Sequence, residues 1–82
     1  MMWNYFTFRS ITYAQLGQRV LEQGGISCRM MRAPRWMEQR GCSYALRTEG
    51  ELGDRAESLL GQAQVSWLRR YLWDGKGEAR LL

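Results

Sequence analysis

The sequence contains no histidine, a single proline at Pro34, a single lysine at Lys76, and two cysteines, Cys28 and Cys42. The absence of histidine excludes Ser-His-Asp and Cys-His catalytic pairs and any zinc site that uses imidazole. Two cysteines fourteen positions apart cannot form a four-cysteine metal site, so no metal or other cofactor is expected. A glycine-rich phosphate loop of Walker or Rossmann spacing is also missing. The uncharged run MMWNYFTF is too short to cross a bilayer. Neither the basic start nor the cleavage site of a signal peptide is recognisable. These absences predict a cytoplasmic protein with reduced cysteines and no membrane association.

What is present is a chain of 82 residues, 45% hydrophobic and 24% charged, with a net charge of +4. Such a chain is read as one domain, 1–82, with its core within about residues 3–73 and a flexible tail over 74–82. A domain this short buries only about 60% of the surface its unfolded chain exposes. The charge is local. Between Cys28 and Arg47 five arginines, Arg29, Arg32, Arg35, Arg40 and Arg47, face Glu38 alone, and the remainder of the chain is neutral. Arginine offers planar, permanently charged donors, although base composition of the coding sequence also favours it over lysine.

The aromatic stretch WNYFTF predicts a strand over Trp3–Phe8. In SITYAQLGQRVLEQGG, Ser10 or Thr12 can cap a helix, with Thr12 and Gln15 at capping-box spacing and Gly24–Gly25 as its stop. Tyr13, Leu16, Val20 and Leu21 are expected on its buried face, and Gly17 fits a close approach to a sheet. ISCRMMRA predicts a second strand over Ile26–Ala33, ended by Pro34, which can open a short helical turn. SYALRT returns antiparallel to it. Asp54 and Glu57 stand at capping-box spacing before Ala56, Leu59, Leu60 and Ala63, the stripe of a second helix. VSWLRRYLW, Val65–Trp73, predicts the last strand. The order βαββαβ predicts a ferredoxin-like α+β fold, a four-stranded antiparallel sheet with two helices on one face.

Glu49, Glu51, Asp54 and Glu57 gather where the second helix begins, which suits capping and helix-dipole roles better than acid–base catalysis. Cys28 lies on the strand face of Ile26 and Met30 and reads as core. Cys42 differs. It falls between Gly41 and Ser43 where a loop enters a strand, among arginines, and cationic neighbours favour the reactive thiolate. The plainer alternative is a buried cysteine with the arginines facing away. A Cys28–Cys42 bridge is sterically conceivable if the two strands pair.

The succession S-x-T-x-A, helix-ending glycine, apolar and basic strand, A-P-R, G-C and A-L-R resembles the selenium/sulfur carrier-protein-like family. It is carried by Ser10, Thr12, Ala14, Gly24, Ile26, Arg29, Pro34, Arg35, Gly41, Cys42, Ala45, Leu46 and Arg47, and runs from about Tyr5 to Trp73. Ser43 and Tyr44 stand where the family is expected to have glycine and an aliphatic residue. The resemblance implies a carrier whose Cys42 sulfur holds a persulfide or selenopersulfide between a desulfurase-type donor and an acceptor protein. Arg35, Arg40 and Arg47 would stabilise the anion or meet a partner, while Pro34, Gly41 and Ser43 would shape the loop. A non-enzymatic carrier is expected rather than a catalyst with turnover.

Two other classes compete. An RNA-binding module could stack bases on the aromatic last strand beside the basic 29–47 segment, but the RNP1 pattern is missing and nucleic acid is not the preferred partner. A protein-interaction module could pair the edge of that last strand with a partner or with itself as a homodimer.

Overall fold

The computed structural model describes residues 1–38 and 43–82. They form an α+β fold of two helices and an antiparallel sheet of five strands, ordered β2-β3-β1-β4-β5. Strand β1, Trp3–Phe8, lies between β3, Tyr44–Glu49, and β4, Arg70–Trp73. Strand β2, Arg29–Arg32, pairs with the outer side of β3, and β5, Arg80–Leu81, with the outer side of β4.

Central position explains why β1 shows no polar alternation: from Asn4 to Phe8 every residue is buried, because both sheet faces are covered there. Asn4, Phe6 and Phe8 face the helices, whereas Trp3 and Tyr5 face away. Helix α1, Ile11–Gln23, begins at Ser10, whose hydroxyl accepts from the Tyr13 amide at 3.3 Å. Thr12 is inside the helix, so Ser10 is the cap. The helix ends in a Schellman motif: Gly25, at φ 85°, donates to the Glu22 carbonyl, and Ile26 donates to that of Leu21.

The buried face of α1 is Ala14, Gly17 and Leu21, and Tyr13 and Leu16 are each 43% exposed. Leu21 and Gly17 are buried as expected and Val20 packs partly buried on the core, but Tyr13 and Leu16 are not on the buried face. The small residues face the sheet because the helix lies close to it; a Cβ on Gly17 would stand 3.0 Å from the Phe8 ring and 3.2 Å from Leu46. Longer side chains do not fit there.

Helix α2, Gly53–Gln62, follows a 3₁₀ turn at Gly50–Leu52 and buries Gly53, Ala56 and Leu60. The predicted Asp54/Glu57 capping box does not form. Both carboxylates instead receive Nη1 of Arg70, at 3.0 and 3.1 Å, while Nε of Arg70 donates to buried Asn4 at 2.9 Å. Asn4 in turn donates to the Gly50 carbonyl at 2.9 Å, tying β1 and β4 to the start of α2.

Three strand expectations need correction. β2 is shorter than predicted because Ile26 belongs to the helix stop. β4 starts at Arg70; ahead of it, Leu68 and Arg69 are held by the backbone and hydroxyl of Thr7. The tail is not left free: Asp74 accepts from the amides of Lys76 and Gly77 at 2.8 Å each, and the turn returns the chain as β5. That return makes the sheet five-stranded and removes β4 from the edge.

Candidate functional site

The loop carrying Cys42 joins β2 to β3, and its ends are closed by a 3.0 Å hydrogen bond from the Ala33 amide to the Ser43 carbonyl. Pro34 then begins the anticipated helical turn. Its carbonyl accepts from the amides of Met37 at 2.9 Å and Glu38 at 3.3 Å, and its ring suits a first helical position.

This turn lies against the sheet face opposite the helices. Met37 is 2% exposed and packs with Tyr5 and Ala45. Tyr71 donates its hydroxyl to the Met37 carbonyl at 3.2 Å, and Trp36 meets Tyr71 and Trp73 edge to face at 5.3 and 4.9 Å. Glu38 pairs with Arg69 at 3.3 Å. The loop is thus anchored by an apolar plug, an aromatic clasp and an ion pair before it reaches Gln39. Sequence reading gave no anchoring role to Trp36, Met37, Glu38 or Arg69. The usable signal was an apolar pair, Trp36-Met37, two residues after a proline that opens a turn.

Of the residues expected at the site, Pro34 and Ser43 stand at the neck of the loop, with Ser43 buried and Arg35 exposed on the turn. Arg40, Gly41 and Cys42 lie outside the described residues. Arg47 is not at the neck. It lies four residues along β3 from Ser43, about 13 Å at strand rise, with its guanidinium 4.1 Å from the centre of the Trp3 ring.

Cys28 is a free, partly buried thiol packed against the helix-side core. Burial, helped by the Glu22 carboxylate, pushes its pKa up to about 11. At neutral pH it is therefore protonated and a poor nucleophile. Among the described residues no group of histidine, cysteine or carboxylate side chains could hold a metal ion, and no helix is long and apolar enough to cross a membrane.

A family model described as "Putative Se/S carrier protein-like" matches residues 4–72. The chain belongs to this family. Neither a curated protein nor a solved structure matches it. The family match covers β1 through β4 except their end residues Trp3 and Trp73, so it includes both cysteines, the anchored turn and, of the aromatic clasp, Trp36 and Tyr71.

Proposed function

We propose that the protein is a sulfur or selenium carrier that holds the transferred atom on Cys42. The observation that carries this reading is the family match over residues 4–72. It is supported by the protonated state of Cys28, which leaves Cys42 as the cysteine suited to nucleophilic transfer. In the transfer, the Cys42 thiolate attacks the terminal sulfur of a donor persulfide. A new S–S bond forms at Cys42 Sγ as the donor S–S bond breaks, and the donor cysteine leaves as a thiolate. An acceptor nucleophile reverses the exchange and Cys42 departs as thiolate, so no external oxidant or reductant is consumed.

In this reading Pro34, Gly41 and Ser43 shape the loop, and Arg35 and Arg40 are the arginines that stabilise the anion or meet a partner protein. Arg47 is engaged by Trp3 further along β3. The donor is a desulfurase-type enzyme and the site of action is the cytoplasm. The order of elements through β4 supports a ferredoxin-like assignment with β5 added at one edge.

The test is intact-mass analysis after incubation with a cysteine desulfurase and cysteine. A one-sulfur adduct is expected on wild type and Cys28→Ser and should be lost completely in Cys42→Ser. An adduct that survives Cys42→Ser, or none on any form, would sink the reading.

A further inference from the structure

A second cluster of unmet chemistry lies at the other end of β3. Arg29 on β2 and Arg47 on β3 are direct cross-strand partners, and like charges placed opposite each other in a sheet repel. Among the described residues neither has a carboxylate within ion-pair distance, in contrast to Arg69 and Arg70. Trp3 holds Arg47 from one side at 4.1 Å, and Nε of Arg47 is buried with no acceptor. Such a donor is costly to leave unpaired.

Both arginines line an open pocket of about 370 Å³, together with Trp3, Ser27, Cys28 and Glu49. Its size is within the range of small-molecule sites, which run from about 300 to 1,000 Å³. Glu49 is exposed and forms no ion pair with either arginine. The Trp3 ring covers one side of the Arg47 guanidinium carbon at 4.1 Å, and the N–H donors of a guanidinium match carboxylate and phosphate oxygens. Ser27 adds a hydroxyl.

We infer that this pocket binds a small oxyanion, a carboxylate or a phosphate, between Arg29 and Arg47 against the Trp3 wall. A bound oxyanion would relieve the Arg29–Arg47 repulsion. The inference does not involve Cys42 and stands or falls apart from the carrier reading.

The test is a titration of the full chain with sodium phosphate, with sodium acetate and, at matched ionic strength, with sodium chloride. The readout is the arginine Nε–H and Trp3 indole N–H resonances by NMR. Saturable shifts of Arg29, Arg47 and Trp3 with an oxyanion but not with chloride are expected. Affinity should weaken roughly tenfold or more in Arg29→Gln and in Arg47→Gln, as for loss of a charge-assisted hydrogen bond, and stay unchanged in Arg80→Gln on β5. Saturation by phosphate alone assigns a phosphoryl ligand; saturation by acetate assigns a carboxylate. Should Arg47→Gln not fold, the exposed Arg29→Gln decides alone. Shifts no larger than those with chloride, or shifts that persist in Arg29→Gln, would overturn the inference.

Discussion

The two faces of the sheet are closed by different means. On one, Phe6, Phe8 and Leu46 meet Ala14 and Leu21 of α1 and Ala56 and Leu60 of α2, all fully buried. On the other, the buried apolar cluster among the described residues is Tyr5, Ala45 and Met37, and Trp3, Met31, Tyr71 and Trp73 surround it partly exposed. Two helices cover the first face. A single turn, Pro34–Glu38, covers the second. The difference separates labour in a small domain: one face supplies cohesion, and the other can carry a loop whose anchorage is local.

Phe6→Ala should break the comparison from the strong side. It removes a fully buried ring from the central strand and is expected to cost about 3–5 kcal/mol, a large share of a small domain's stability, read as a lower urea midpoint. Met37→Ala addresses the weak side. Its expected cost is about 2 kcal/mol, the low end for such a truncation because the turn can settle into the space. Loosening of the Trp36 clasp should also shift tryptophan fluorescence to longer wavelength. A Met37→Ala cost equal to that of Phe6→Ala would mean that both faces belong to one equally tight core.

The strong face was the more legible in the sequence. WNYFTF predicted β1 to the residue, and the Ser10 or Thr12 cap candidates and double-glycine stop bracketed α1, because these signals are local. Which side of α1 is buried was legible only in part. Leu21 and the close approach at Gly17 were read correctly, but apolar side chains also suggested Tyr13 and Leu16, which are exposed, and Ala14 was missed because the closeness of helix and sheet is visible only in three dimensions. Asp54 and Glu57 had the spacing of a cap, yet Arg70, from a strand thirteen or more residues later, claims both. The weak face is built almost wholly from such long-range pairings. Tyr71 to Met37 and Trp36 to Trp73 each join segments more than thirty residues apart, and periodicity within one element carries no trace of them.

Arg69→Gln sharpens the picture of the turn's anchorage. It removes a partner of Glu38, but the Arg69 side chain is 49% exposed, so the loss should stay below about 1 kcal/mol. The wild-type advantage should shrink further in high salt. A larger cost would shift the anchorage from the Met37 plug to the ion pair.

The smallest effect concerns Cys28, which borders the strong face. Its thiol is raised from 9.0 to about 11 in the folded protein. The folded state therefore keeps this proton at pH values where the unfolded chain has released it. Between about pH 9 and 11 rising pH favours unfolding, and below that window the thiol contributes no pH dependence. Wild type should lose slightly more stability than Cys28→Ser across this interval, in denaturation midpoints measured side by side. In Cys42→Ser, alkylation of Cys28 should be slow at neutral pH and accelerate toward pH 11. Fast alkylation near pH 7 would show that the strong face does not shield its own border, and would restore Cys28 as a rival to Cys42 for the carried atom.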